Sequence, residues 1–138
     1  MCNVALILRH QGRIEESLTT FQAALCLNPM NVNNLKQVGR SLYLLGKHKT
    51  ALEVFEEAEQ LHAEDREIWH NKGMCYLYLK QYDKSLECFE LANSIQRNEV
   101  TYTQMGRVHR LTGNLIHTYC NRFFLYFYFL KHNVYMPR

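Results

Sequence analysis

The stretch REIWHNKGMCYLYLKQYDKSLECFELANSIQR, residues 66–97, decides the fold of this 138-residue chain. Apolar residues recur at helical spacing in each half of it. The first set is Trp69, Tyr76 and Leu79, and the second is Leu86, Phe89, Ala92 and Ile95. Asp65 stands where it can cap the first helix, and a short polar turn around Lys80 separates the halves. The stretch therefore predicts two helices joined by a tight turn.

The same landmarks recur along the chain with a period of 34 residues. The series are Gly39 and Gly73; Leu18, Leu52 and Leu86; Phe21, Phe55 and Phe89; and Ala24, Ala58 and Ala92. One shared period indicates an internal repeat, and one helix pair cannot bury its apolar face without neighbouring pairs. The sequence thus predicts an all-α solenoid of about three to three and a half helix pairs. The helices are expected near residues 1–11, 14–27, 32–45, 48–61, 66–79, 82–95 and 99–112.

The repeat resembles the tetratricopeptide repeat, whose pattern is W-x2-L-G-x2-Y, then A-x3-F, then P. Its landmarks in residues 66–97 are Trp69, Gly73, Tyr76, Phe89 and Ala92. Lys72 replaces the usual leucine, and Ser85 replaces the usual alanine. The resemblance divides the chain into a partial unit 1–31, full units 32–65 and 66–98, a first helix 99–113, and a divergent, aromatic-rich, basic tail 114–138.

The tail departs from the repeat in composition. Eight of the last 24 residues are aromatic, and the run FFLYFYFL at 123–130 is apolar on every helical face. A divergent C-terminus, for example from alternative splicing or read-through, is the preferred interpretation. A hydrophobic helix that docks on the last unit is the second, and a membrane-inserting segment is the third. Eight apolar residues fall far short of the about 20 that a membrane span needs.

Charge and cysteine content exclude several functional classes. Residues 1–106 hold 11 Lys and Arg against 13 Asp and Glu, whereas residues 107–138 hold 5 Lys and Arg and no acid. No evenly basic surface is available, so no nucleic-acid partner is predicted. The five cysteines are odd in number and include no CxxC, which favours free thiols in a reducing, cytoplasmic compartment. Cys75 and Cys88 are expected to pack as small buried residues.

The sequence offers no complete catalytic or metal-binding pattern. Glu67 and His70 form an E-x-x-H, but the second copy and further carboxylates of a di-iron site are missing. His117 and Cys120 are three residues apart, and two ligands do not make a zinc site. We therefore expect a non-enzymatic protein without metal or cofactor.

The resemblance to tetratricopeptide repeats implies a concave groove lined by the first helix of each unit. The register places polar, basic and aromatic side chains on that face, with Tyr43, Met74 and Tyr78 as the best anchors. Leu77 is assigned to the same face. The candidate partner-binding residues are Lys36, Gln37, Arg40, Tyr43, Glu67, His70, Asn71, Met74, Tyr78, Gln104, Arg107 and Arg110.

Two stretches narrow the resemblance further: LKQVGRSLYLLGKHKTALEV (35–54) and HNKGMCYLYLKQYDKS (70–85). They are similar to early repeats of the tetratricopeptide subunits of the BBSome, a coat-like complex that carries membrane proteins to and from cilia. The resemblance implies a fragment of a longer scaffold. It also implies BBSome subunits, centriolar-satellite proteins and dynein/dynactin-type transport proteins as partners, at the centrosome, centriolar satellites and base of the cilium.

Two other functions remain open. A co-chaperone would grip the acidic tail of a heat-shock protein with Lys and Asn of its first helices. The matching positions here are Cys2, Leu6, Gln37, Glu67 and Asn71. Glu67 would repel the carboxylates, which weakens this interpretation. The chain could also be the repeat arm of a larger enzyme, such as a protein glycosyltransferase, whose catalytic domain lies elsewhere.

Overall fold

A computed structural model describes residues 2–113, and this part of the chain is folded into seven α-helices without strands. Every helix begins and ends within one residue of its predicted position. The helices are α1 (Cys2–His10), α2 (Ile14–Leu27), α3 (Val32–Leu44), α4 (His48–Leu61), α5 (Arg66–Tyr78), α6 (Tyr82–Ile95) and α7 (Glu99–Leu111). The predicted all-α solenoid is confirmed. The calls on residues 114–138, including His117 and Cys120, lie outside the described residues.

The helices stack in sequence order. Each one packs against the next, from α1 on α2 to α6 on α7. In addition, α3 contacts α5, and α5 contacts α7. The first helices of successive pairs are therefore neighbours, which is the arrangement that a continuous groove requires.

Glycine allows the two helices of a pair to approach closely. A Cβ added to Gly39 would lie 2.7 Å from Cζ of Phe55, and one added to Gly73 would lie 2.6 Å from Cε1 of Phe89. Both phenylalanine side chains are fully buried. The predicted role of the 34-residue glycine and phenylalanine series is confirmed: the ring of the second helix fills the space that glycine leaves on the first.

Serine at the usual alanine position adds a hydrogen bond between the paired helices. The Ser17 hydroxyl donates to the Ala5 carbonyl at 2.7 Å, and the Ser85 hydroxyl donates to the Gly73 carbonyl at 2.8 Å. Both serines are fully buried. Their hydroxyls are satisfied, so the departure from alanine leaves no unpaired polar group in the core.

Asx caps begin the first helices. Asn31, Asp65 and Asn98 precede α3, α5 and α7, and each side chain accepts a hydrogen bond from a backbone N–H of the first turn. The Asp65 oxygen lies 2.9 Å from the Glu67 nitrogen, which confirms the predicted cap. Such caps satisfy donors that have no partner within the helix and so fix where it starts.

Three assignments from the sequence are wrong. Trp69 was expected in the core, but it is only half-buried, and the adjacent Ile68 is fully buried instead. The indole N–H of Trp69 donates to the Ala63 carbonyl at 2.8 Å, which holds the ring at the edge of the repeat. Ile95, the last residue of α6, is 40% exposed. Leu77 was assigned to the groove, but it is buried in a cluster with Phe89, Met105 and Val108.

Candidate protein-binding groove

The twelve candidate groove residues all lie on α3, α5 or α7, and none is buried in the core. Four are exposed: Arg40, Tyr78, Arg107 and Arg110. The other eight are half-buried: Lys36, Gln37, Tyr43, Glu67, His70, Asn71, Met74 and Gln104. Partial burial on adjacent helices is expected for side chains that line a concave face rather than a flat one.

A lysine between two carboxylates joins α3 to α5. The Lys36 ammonium lies 2.8 Å from an oxygen of Asp65 and 2.8 Å from an oxygen of Glu67. Burial alone would lower the pKa of Lys36, but hydrogen bonds to the two carboxylates raise it above its usual value. Burial would likewise raise the pKa of Asp65, and the bond from Lys36 lowers it. The two acids at this part of the groove are thus held by a cation.

Arg9 of α1 extends the groove surface, although the sequence analysis did not include it. Its Nη2 donates to the side-chain oxygen of Gln37, and its guanidinium lies 5.5 Å from the centre of the Phe21 ring. Burial, followed by repulsion from Arg40, lowers its pKa. The repeat itself carried the signal, because Arg9 precedes the groove residue Tyr43 by one period of 34 residues.

His70 bridges two units. Its Nδ1 lies 2.9 Å from the hydroxyl oxygen of Thr101 on α7. Burial first, and then the positive charges of Arg66 and Arg40, lower the pKa of His70. The E-x-x-H partner Glu67 binds Lys36 instead, so the two residues do not share a site. Within residues 2–113 no group of three or more His, Cys, Asp or Glu side chains could hold a metal ion.

An aromatic cluster occupies the junction of three units. The Tyr43 and Tyr78 rings pack edge to face at 5.6 Å, and the His48 ring stacks on Tyr78 at 4.9 Å. The guanidinium of Arg107 lies 5.9 Å from the centre of the Tyr78 ring. Burial and a hydrogen bond with Tyr78 raise the pKa of Tyr43, whereas bonds with Tyr43 and Arg107 lower the pKa of Tyr78.

His48 was missed by the sequence analysis because it belongs to a second helix, α4, where the groove rule does not look. It is the first residue of that helix, and this end position brings its ring to Tyr43 and Tyr78. The tyrosines were predicted as anchors, and the structure brings them together. A flat, partly exposed aromatic surface beside an arginine can bind both apolar and anionic side chains.

The buried cysteines are unsuited to nucleophilic chemistry. Burial raises the pKa of Cys75 to about 12 and that of Cys88 to about 11. The thiol, not the reactive thiolate, therefore predominates near neutral pH. The prediction that both residues pack as small apolar groups agrees with their positions in the core. Among residues 2–113, moreover, no helix combines the length and the apolar character needed to cross a membrane.

The stacked helix pairs and their shared groove define a solenoid of the tetratricopeptide type. Residues 5–92 match the family model described as "Anaphase-promoting complex, cyclosome, subunit 3", which covers more than half of the chain. The chain belongs to this family of tetratricopeptide-repeat proteins.

Curated relatives narrow the similarity. The chain is 50% identical over 111 residues to BBSome complex member BBS4 of Bos taurus, which covers 80% of this chain and 21% of that protein. The figures for the Mus musculus protein are 49% identity over 111 residues, 80% of this chain and 21% of that protein. The chain thus spans about a fifth of the length of these relatives, which is consistent with the expected fragment.

Solved structures share the fold at low sequence identity. MamA 41-end from Desulfovibrio magneticus RS-1 superposes with a TM-score of 0.80 at 19% identity, over 87% of this chain and 68% of that one. The first tetratricopeptide domain of Spaghetti (RPAP3), bound to an HSP90 peptide, gives a TM-score of 0.77 at 12% identity, over 80% and 89% of the two chains. These similarities establish the fold alone.

Proposed function

We propose that this chain is a non-enzymatic scaffold that binds other proteins through the groove of α1, α3, α5 and α7. One observation carries the proposal: the groove brings charged and aromatic side chains of different units together, as in the Tyr43–His48–Tyr78 cluster beside Arg107. Aromatic and arginine side chains in a concave surface are typical of protein-binding hot spots.

The particular assembly that we propose is a BBSome-type complex. The support is the similarity to BBSome complex member BBS4, at about half of the aligned residues. Its partners would be other BBSome subunits, with centriolar-satellite and dynein/dynactin-type proteins in transport. The place of action would be the cytoplasm, at the centrosome and the base of the cilium. We also propose units 1–31, 32–65, 66–98 and 99–113, followed by the tail 114–138.

The test is capture of separately purified BBSome subunits by the full chain. We expect the wild-type chain to retain at least one subunit. A variant with Arg40→Ala, Tyr43→Ala and Met74→Ala should retain less of it at unchanged helicity, because all three side chains line the groove and none is in the core. The matched control changes exposed residues of second helices. It carries Lys49→Ala, Gln60→Ala and Leu91→Ala.

The outcome separates the competing functions. Equal retention by the groove variant and the control would mean that the partner uses another face. Binding of an acidic heat-shock C-terminal peptide in preference to every BBSome subunit would favour the co-chaperone instead. The structure gives that second function little support, because Glu67 remains a carboxylate bound to Lys36 in the groove.

A further inference from the structure

A side-chain carboxamide occupies the same position of every first helix. The residues are Asn3, Gln37, Asn71 and Gln104, at steps of 34, 34 and 33. They lie on α1, α3, α5 and α7, respectively. Asn3 is exposed, and the other three are half-buried. The repeat therefore places a row of carboxamides along the groove.

Several polar atoms of this row lack a partner among the described residues. They include Nδ2 of Asn71, Oε1 of Gln104 and Nη1 of Arg9, and all three are out of contact with solvent. Leaving a buried donor or acceptor unpaired is costly. A ligand towards which these side chains rotate would remove that cost. Gln37 differs, since its oxygen already accepts from Arg9.

The chemistry of a carboxamide matches a peptide main chain. It carries an N–H donor and a carbonyl acceptor, as a peptide group does. Packed helices lie about 8–10 Å apart, and an extended chain advances about 3.3–3.6 Å per residue. One carboxamide would therefore meet about every third residue of an extended segment. Such contacts read the main chain and are insensitive to side-chain sequence.

The charges beside the row favour an acidic occupant. Arg9, Arg40, Arg107 and Arg110 lie at groove positions of α1, α3 and α7. The carboxylates of Asp65 and Glu67 are held by Lys36. The excess charge that faces an occupant is therefore positive, and like charges would disfavour a basic segment.

We propose that the groove binds an extended acidic segment of a partner protein, with the carboxamides of Gln37, Asn71 and Gln104 bonded to its main chain. The arginines bind its carboxylates. This inference rests on the proposed function, in which the same groove is the binding surface, and it adds the chemical class and conformation of the occupant.

The experiment measures binding of labelled 12-residue peptides to the full chain by fluorescence anisotropy. The probe is an alternating Glu-Ser peptide. One comparison peptide is N-methylated on its main chain at every serine, and a second has Gln in place of Glu. We expect the wild-type chain to bind the Glu-Ser peptide, and the N-methylated and Gln-Ser peptides to bind at least about tenfold more weakly.

The variant with Asn71→Leu and Gln104→Leu separates main-chain contacts from charge. It should bind the Glu-Ser peptide about tenfold more weakly and lose most of the discrimination against N-methylation. Its salt dependence should stay at the wild-type level, whereas Arg40→Gln with Arg107→Gln should flatten it. The matched control is Gln22→Leu with Gln60→Leu, exposed carboxamides of α2 and α4, and it should bind as the wild type does.

The two proposals can fail separately. If the wild-type chain does not bind the Glu-Ser peptide, or binds the N-methylated peptide equally well, the inference is overturned even where BBSome subunits are captured through the groove. Wild-type affinity in the Asn71→Leu, Gln104→Leu variant overturns it too. Unchanged circular dichroism and an unchanged melting temperature establish that this variant is folded. If peptide binding follows the expected pattern but no BBSome subunit is captured, the assembly assignment fails and the inference stands.

Discussion

At the residue scale, Lys80 holds a backbone conformation that glycine holds in the other turns. Its φ is +62°, whereas φ at Gly12, Gly46 and Gly113 is +80°, +81° and +70°. A side chain in this left-handed region costs about 1–2 kcal/mol. We expect Lys80→Gly to raise the free energy of unfolding by about 1 kcal/mol, less the entropy that glycine gains in the unfolded chain.

A thermal melt of Lys80→Gly tests this expectation, and Gly46→Lys is its mirror control. The added Cβ at Gly46 meets nothing within 4 Å among the described residues, so its cost isolates the backbone. The melting temperature should rise for the first variant and fall for the second. A fall for both would mean that the Lys80 side chain contributes more than its backbone costs.

His70 makes stability depend on pH. Burial, followed by Arg66 and Arg40, lowers its pKa in the folded chain below the usual 6.5. As pH falls through 6.5, the unfolded chain therefore binds a proton that the folded chain does not, and stability is lost. We expect a lower melting temperature at pH 5.5 than at pH 7.5, and a smaller difference in His70→Gln. Equal differences in the two proteins would assign the effect to other groups, such as His48, whose pKa burial also lowers.

At the scale of the helix pair, Phe55 is the side chain on which α3 and α4 close. It is fully buried, and its ring fills the space beside Gly39. We expect Phe55→Ala to lower the free energy of unfolding by about 3–5 kcal/mol, because it leaves a cavity between the helices. Urea unfolding followed by circular dichroism measures the loss.

A double-mutant cycle with Gly39 checks the cause. Gly39→Ala alone should destabilise the chain, because its Cβ would lie 2.7 Å from the Phe55 ring. In the Phe55→Ala background the ring is absent, and the same change should cost little or stabilise helix α3. Additive effects of the two substitutions would show that the ring does not fill this space.

The helix-pair scale also shows what the sequence could and could not predict. The glycine, phenylalanine and alanine series located every helix, because each residue acts within its own pair. Lys72 could not be interpreted in that way. It is buried, its ammonium binds Glu59 of the preceding unit, and it lies 4.7 Å from the centre of the Trp69 ring. Its partner sits on another pair, and no periodic pattern marks it.

The groove was predictable to the same extent. Register placed Tyr43 and Tyr78 on one face, as the structure has them. It could not show that Leu77 turns into the core. Nor could it show that His48 joins from the start of a second helix. Both depend on the rotation of one unit against the next, which is set by packing between pairs rather than by the pattern within one.

At the scale of the whole molecule, two clusters of buried side chains hold the solenoid. One extends from Ala5 to Cys75, and the other joins Leu77 and Phe89 to Met105 and Val108. Each unit contacts only its neighbours, so the stability of the described part is a sum over adjacent units. A local change should therefore lose its influence within one or two units.

The last prediction concerns residues 114–138, which lie outside the described part of the structure. Both clusters consist of residues between Ala5 and Val108, so a chain that ends at Gly113 keeps every side chain that forms them. We expect the truncated chain to retain the helical signal of seven helices and to be more soluble, because the apolar run 123–130 is removed. Circular dichroism and sedimentation of both chains measure this. Unfolding upon truncation would instead identify the tail as a helix that docks on α7, and the preferred interpretation of the tail would be wrong.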